Sequence, residues 1–259
     1  MHKITGHILI SCLLFMTFSA CTDAQTPKRY TYKVDKVLPH DVLSYTQGLF
    51  FYNGELYESA GQYGESSFRK VDLNSGMVLK RENFASKYFI EGSCALDGRL
   101  YILTWKENTC FVCDINTFKQ LGILRYQGEG WGLTTDGKSL IMSDGSSKLY
   151  FRKPDNFQLI REIDVTVGNS PVRYLNELEY IKGEIWANVY GSDTIVRIDP
   201  ATGKVKSMID CSNLLPGYLI KRDTDVLNGI AYDAKNDHIY LTGKYWPKMY
   251  RISLVEKNK

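Results

Sequence analysis

Long apolar runs are missing from this chain once its first twenty residues are passed, so no later segment can cross a membrane as a helix. Charge of one sign is missing too: 32 Lys and Arg against 29 Asp and Glu leave a net +3. The basic residues are scattered rather than gathered into the stripe that a phosphate backbone demands, so nucleic acid is not an expected partner. Histidine is nearly absent. His2 and His7 lie at the N-terminal apolar run, and His40 and His238 stand in no metal-ligand spacing. This leaves no Ser-His-Asp reading and argues against a catalytic zinc. Proline is limited to seven residues while Tyr reaches 18 and aromatics 13%, a balance that favours strands over helical bundles.

The N-terminus is what stands out first. His2 and Lys3 precede an apolar run from Ile8 to Phe18, too short to span a bilayer but suited to the core of a secretory signal. It ends in Phe18-Ser19-Ala20-Cys21, which resembles a bacterial lipoprotein processing box, where small residues fit the peptidase and the Cys21 thiol takes the lipid. Ordinary cleavage near Ala20 or Ala24, without lipid, is the alternative. The expected organisation is a signal over 1–20, a lipidated polar tether over 21–29 and one domain over 30–259. The protein is then exported, periplasmic or outer-membrane-associated, and touches the membrane only through its lipid. Of six cysteines, Cys12 falls in the signal and Cys21 is the lipid site. Cys110 and Cys113 have metal or redox spacing, but in a strand residues three apart point to opposite faces. With Cys94 and Cys211 they read as small core residues, a disulfide being the alternative.

An internal repeat decides the expected fold. Five segments share a polar or aromatic opening residue, usually a Gly, a short apolar strand, a tight turn and a second apolar strand. They run 47–57, 91–101, 131–141, 176–186 and 228–240, with starts 44, 40, 45 and 52 residues apart. Asn-Gly and Asp-Gly between apolar runs are strong hairpin signals. A second hairpin follows each of the first four, over 68–84, 110–126, 149–165 and 194–210, with turns such as Asp72 to Gly76 and Asp199 to Gly203. Two hairpins make the four-stranded unit of a propeller blade. The fifth unit lacks a strand, and the alternating segment Tyr30 to Leu38 supplies one. The expectation is an all-β, five-bladed β-propeller, its ring closed by an N-terminal strand that completes the last blade and removes an open edge.

In such a ring, equivalent positions surround a central channel. The opening residues are Gln47, Glu91, Trp131, Asn176 and Asn228, a set with one carboxylate. Positions returning to the same end on the second strand are Gly61, Trp105, Asp144, Tyr190 and Lys244. A carboxylate at Glu91, crowded by Phe89 and Trp105, is expected to lose solvation and gain a raised pKa suited to proton transfer.

Around these residues lie Tyr45-Thr-Gln-Gly-Leu49, Phe89-Ile-Glu-Gly92, Leu103-Thr-Trp105, Gly130-Trp-Gly-Leu133, Leu175-Asn-Glu-Leu-Glu-Tyr180, Ile185-Trp-Ala-Asn-Val189, Asp225-Val-Leu-Asn-Gly-Ile-Ala231 and Thr242-Gly-Lys-Tyr-Trp-Pro-Lys248. In this order, from about Tyr30 to Leu254, they resemble the plant and bacterial glutaminyl cyclases, or glutamine cyclotransferases. The resemblance implies conversion of N-terminal glutamine of peptides or proteins to pyroglutamate with release of ammonia, by a chain expected to be a monomer. It implies Glu91 as catalytic acid/base, Gln47, Asn176 and Lys244 as polar site residues, and Phe89, Trp105 and Trp131 as aromatic lining. Tyr45 stands where plant members carry Phe and Tyr190 where they carry Trp; both keep the aromatic wall and add a hydroxyl. No cofactor is expected for catalysis and no catalytic metal, while a structural calcium held by backbone carbonyls in the channel is compatible with the sequence. The alternative function is a non-catalytic propeller that binds peptide or glycan on the same face.

The processing box makes a direct prediction. Cys21→Ser is expected to move the protein from the membrane fraction to the soluble fraction, and equal fractionation of both forms counts against the anchor.

Overall fold

The computed structural model describes residues 1–2 and 26–257, so the signal run and Cys21 lie outside the described residues. The fold is all-β. After β1 (Lys28–Pro39), the first four-stranded sheet is β2 (Thr46–Tyr52), β3 (Glu55–Ala60), β4 (Ser67–Val71) and β5 (Val78–Asn83). The second is β6 (Ile90–Leu96), β7 (Arg99–Thr104), β8 (Thr109–Asp114) and β9 (Gln120–Arg125). The third is β10 (Leu133–Thr135), β11 (Leu140–Ser143), β12 (Lys148–Arg152) and β13 (Leu159–Asp164). A small hairpin, β14 (Thr166–Val167) and β15 (Ser170–Pro171), leads to β16 (Leu175–Ile181), β17 (Glu184–Val189), β18 (Thr194–Ile198) and β19 (Val205–Asp210). Then come β20 (Leu227–Asp233), β21 (His238–Gly243) and β22 (Lys248–Glu256). These last seven strands and β1 form one sheet in the order β16-β17-β18-β19-β1-β22-β21-β20.

The turns follow from residue type. Asn53-Gly54 and Asp97-Gly98 take φ of 51° and 80°, and 50° and 77°, the paired positive values that match a tight hairpin to strand twist. The second-hairpin turns share another device: the N–H of Gly76, Phe118, Phe157 and Gly203 each bonds the carbonyl four residues back. The closing residue is left-handed in all four, with φ between 60° and 73°. Glycine adopts this freely, while an L side chain is penalised by roughly 1–2 kcal/mol. Phe118 and Phe157 tolerate it because their rings are buried in the apolar clusters on either side of the second sheet.

Five apolar clusters among the described residues hold the sheets together. Phe50, Tyr57 and Phe68 of the first sheet pack on Leu100, Ile102 and Phe111 of the second. Tyr101, Leu103 and Val112 meet Leu133, Leu140 and Met142 of the third. Ile141, Leu149 and Phe151 meet Leu178, Ile185 and Val196, Trp186 and Ile195 meet Leu241 and Ile252, and Tyr240, Met249 and Leu38 return to Leu49 and Leu56 of the first sheet. Cys94, Cys110, Cys113 and Cys211 are free, buried thiols within these clusters.

Strand β1 begins two residues before the expected segment. It runs antiparallel to β22 over nine residue pairs, from Tyr30 opposite Glu256 to Pro39 opposite Lys248. It touches β19 in parallel only from Lys28 to Tyr30. Ladder hydrogen bonds contribute about 0.5–1.5 kcal/mol each, so together they rival a typical net stability of about 5–15 kcal/mol. Deleting Tyr30 to Leu38 is expected to leave β22 with an open edge and to give aggregated or unfolded protein by circular dichroism and gel filtration. A soluble, cooperatively folded deletion would contradict this.

Candidate active site

Strands β2, β6, β10, β16 and β20 are each the terminal strand of a sheet, and they lie against one another at the middle of the molecule. Their inward edges have no ladder partner, so the backbone groups there need side-chain partners. Glycine follows the opening residue in three of them, Gly48, Gly92 and Gly229, and Gly132 follows Trp131 directly before β10. A Cβ on Gly92 would lie 2.5 Å from the Leu133 nitrogen, and one on Gly48 would lie 2.8 Å from the Ser93 nitrogen. In β16 the residue is Glu177 instead. Its Oε1 accepts the Leu49 N–H of β2 at 3.1 Å and its Oε2 the Ile230 N–H of β20 at 2.9 Å. Glu179 accepts the Tyr232 N–H at 3.0 Å. Burial raises both carboxyls, Glu179 to about 8, against the lowering effect of these N–H groups.

A cavity of about 240 Å³ opens at one end of this convergence, and the nine residues that the family resemblance implies for the site, Tyr45, Gln47, Phe89, Glu91, Trp105, Trp131, Asn176, Tyr190 and Lys244, all line it. Its volume is below the roughly 300–1,000 Å³ of sites for drug-sized ligands. Gln47, Gln62, Glu91, Asn176 and Lys244 are its polar, non-aromatic members. Asn228, behind them, donates from Nδ2 to Thr46 O at 2.9 Å and to Gln47 Oε1 at 3.4 Å. That fixes the Gln47 amide so that its Nε2 donates to Glu91 Oε1 at 3.1 Å. Glu91 is 5% exposed and is, among the described residues, the one carboxylate lining the cavity. Burial pushes its carboxyl well above the ordinary range, and the negative charges of Glu129 and Glu107 add to this while Lys244 opposes it. Burial in turn lowers the Lys244 ammonium, against the pull of Glu91 and Asp225. The Lys244 Nζ lies 4.4 Å from the Tyr45 ring centre and 5.3 Å from that of Tyr190. Asn176 Oδ1 is buried without a hydrogen-bond partner, an acceptor left for a ligand N–H.

The aromatic walls are Tyr45, Phe89, Trp105, Trp131 and Tyr190. Phe89 meets Trp105 edge-on at 5.6 Å and Tyr45 at 6.2 Å, and Trp131 meets Tyr190 at 5.7 Å. Asp225 accepts the Tyr45 hydroxyl at 3.0 Å. Gly61 borders the Phe89 ring, which leaves no room for a Cβ there. Asp144, placed at this rim by counting along the repeat, does not line the cavity. It turns away, accepting the Ser146 N–H and the Tyr150 hydroxyl, each at 3.0 Å, because the chain leaves β11 through a turn at Gly145.

Two loops carry Tyr45 and Lys244, and a buried charged cluster ties them. His40 Nδ1 bonds the Trp246 carbonyl at 2.7 Å and its Nε2 bonds Glu58 Oε1 at 3.0 Å, while the Ser44 and Thr46 hydroxyls donate to the same oxygen. Despite burial, His40 and Arg69 hold the Glu58 carboxyl down at about 2. The Tyr245 N–H bonds the Ser44 carbonyl at 2.7 Å, and the Lys244 N–H bonds Val226 O at 3.0 Å. Lys244 is thereby fixed over the pocket by backbone rather than by an ion pair.

A family model for glutamine cyclotransferase matches residues 7–254. This chain belongs to the glutamine cyclotransferase family. It is 46% identical over 222 residues to a glutaminyl-peptide cyclotransferase of Arabidopsis thaliana, covering 84% of this chain and 69% of the relative. The crystal structure of Myxococcus xanthus glutaminyl cyclase superposes with a TM-score of 0.83 at 35% identity, over 90% of this chain and all of that one. The all-β architecture is thus shared with a solved member of the family.

Several residues at the site escape the repeat analysis. Gln62 lines the cavity with φ of 107°, a conformation that is costly for a non-glycine residue. Glu177 sits where the repeat otherwise has glycine, and that break was the available signal. Glu177→Gln would set an amide N–H₂ against one of the two backbone N–H groups that the carboxylate now accepts. The variant is expected to lose about 1–3 kcal/mol, read as a lower denaturant midpoint at unchanged m; wild-type stability would argue against this bridging role.

Proposed function

We propose that this chain is a glutaminyl-peptide cyclotransferase whose general acid and base is Glu91, built on a five-bladed β-propeller. The observation that carries the catalytic assignment is that one carboxylate lines the cavity, buried, raised and oriented by Gln47. Support for five blades comes from five inner strands, five apolar clusters between consecutive groups, and β1 beside β22 as the fourth strand of the last group. The substrate is the N-terminal glutamine of a peptide or protein. Export as a lipoprotein through Cys21 belongs to the same reading and rests on the N-terminal run alone.

Both reacting groups belong to one residue, so the site folds the side chain back on its own amine instead of recruiting a second substrate. The neutral α-amine attacks the γ-carboxamide carbon, forming the lactam bond and a tetrahedral oxyanion, and Glu91 as carboxylate takes the proton that the attacking nitrogen sheds as this bond forms. Lys244 and the Gln47 and Asn176 amides line the space where that charge develops. The protonated Glu91 returns its proton to the amide nitrogen, the carbon–nitrogen bond breaks, and ammonia leaves. Asn176 Oδ1 accepts a substrate N–H.

Glu91→Gln keeps size and hydrogen bonding but exchanges no proton near neutral pH. General acid–base assistance contributes about 10²- to 10⁴-fold, so ammonia release from a Gln-initiated dipeptide under single turnover is expected to fall at least that far. Lys244→Met slows the reaction while preserving its dependence on a titrating carboxylate. More than about a tenth of wild-type activity in folded Glu91→Gln, below the smallest effect of general catalysis, would make Glu91 a positioning group only.

A further inference from the structure

Glu129 sits in the loop joining the second sheet to the third, between Gly128 and Gly130. Its Oε2 accepts both indole N–H groups of the cavity wall, that of Trp105 at 2.7 Å and that of Trp131 at 3.0 Å. Trp105 directly follows β7 and Trp131 stands two residues before β10, so one oxygen ties together walls from two sheets. An indole has a single donor, and a charged acceptor makes the stronger bond. The remaining freedom of both rings is closed off by packing. The Trp131 ring lies against Gly145, where a Cβ would come within 2.6 Å of it. The Lys106 Nζ covers the Trp105 ring at 3.6 Å from its centre and lies 3.9 Å from Glu129 Oε1, which offsets the charge on the second oxygen.

We propose that Glu129 is a positioning residue of the reaction: through its two indole bonds it holds Trp105 and Trp131 as one fixed wall against which the glutaminyl side chain folds back on its amine. The proposal rests on the reading of this cavity as the site of cyclisation. An intramolecular attack gains its rate from a compact, near-attack conformer, and a wall that can rotate does not enforce one. Glu129 has a second effect, through its charge. The ionisable groups facing Glu91 are Lys244, Glu107, Glu129 and the hydroxyls of Tyr45, Tyr63 and Tyr126, and the negative charge of Glu129 helps keep the Glu91 carboxyl high.

Two variants separate these effects. In Glu129→Gln the amide oxygen still accepts both indoles while the charge is gone; in Glu129→Ala both bonds are lost. Glu129→Ala is expected to raise KM for a Gln-initiated dipeptide ten-fold or more, about 1.4 kcal/mol and the size of one hydrogen bond to a charged group, and to change Trp fluorescence. Glu129→Gln is expected to hold KM within about two-fold of wild type and to move the acid limb of the kcat/KM profile to lower pH. A wild-type KM in folded Glu129→Ala overturns the proposal, as does a Glu129→Gln enzyme with the raised KM of Glu129→Ala and an unmoved limb. Should Glu129→Ala not fold, the pH profile of Glu129→Gln decides, an unmoved limb counting against. Should wild type release no ammonia, the catalytic reading fails, and dipeptide affinity by fluorescence, equal in wild type and folded Glu129→Ala, still overturns the positioning role.

Discussion

Everything at this site depends on five strand edges meeting at one axis without a sheet to satisfy them. An unpaired N–H in a dry interior costs about as much as a lost hydrogen bond, and each inner strand brings several. The chain meets the demand with short polar side chains from the second strands and with two long ones, Glu177 and Glu179 of β16. Ser59 donates to the Glu91 carbonyl and Ser143 to the Asn176 carbonyl, each at 2.7 Å. Glu177 spans the axis from β16 to β2 and β20. Because these bonds hold the backbone at the opening residues, Gln47, Glu91 and Asn176 project from a rigid floor. That rigidity comes from strands rather than loops, which is where catalytic side chains are held most closely.

Carboxylates recur around the cavity in different surroundings, and surroundings decide what each can do. Glu58 has an imidazole and a guanidinium beside it and stays ionised down to about 2, which makes it a structural anion. Glu177 and Glu179 spend their oxygens on backbone N–H groups. Glu129 and Asp225 spend theirs on the indoles and the Tyr45 hydroxyl. Glu91 alone accepts one side-chain amide, faces the cavity and has its charged form disfavoured by burial. A group that must accept and return a proton within one reaction needs this balance, because a carboxylate stabilised like Glu58 would not hold the proton long enough to deliver it.

The repeat made the inner strands and the cavity residues legible because both follow from position. Every opening residue recurs where its strand begins, so Gln47, Glu91, Trp131 and Asn176 could be placed at one end without coordinates. Asp144 shows the limit: counting places it correctly at the end of β11, but a glycine turn then sends its side chain to Ser146 and Tyr150. Asp225 and the His40–Trp246 bond were not legible, since each joins parts of the chain brought near by the closed fold, and Glu129, though two residues from Trp131, reaches Trp105 across from another sheet. Tyr45 and Asp225 are 180 residues apart, His40 and Trp246 are 206 apart. Such pairs carry no period. The left-handed Phe118 and Phe157 were hidden for a related reason, as their strain is offset by burial in clusters that local sequence does not announce.

The chemistry explains why aromatic surface outweighs polar surface in so small a cavity. Nucleophile and electrophile arrive on one flexible side chain, whose extended conformers outnumber the folded one that reacts. Apolar walls favour the compact conformer by burying its methylenes, at about 25 cal/mol per Å². In the proposed reaction the few polar groups are then free to serve proton transfer and the developing oxyanion. They are dear to place in such surroundings, which is why each is held by a named partner: Glu91 by Gln47, Gln47 by Asn228, and the Lys244 backbone by Val226. Asn176 Oδ1 and Asn228 Oδ1 are the exceptions, acceptors buried without a bond. Of the two residues it is Asn176 that lines the cavity, so in the proposed reaction its oxygen is the acceptor that an N–H of the glutamine fits.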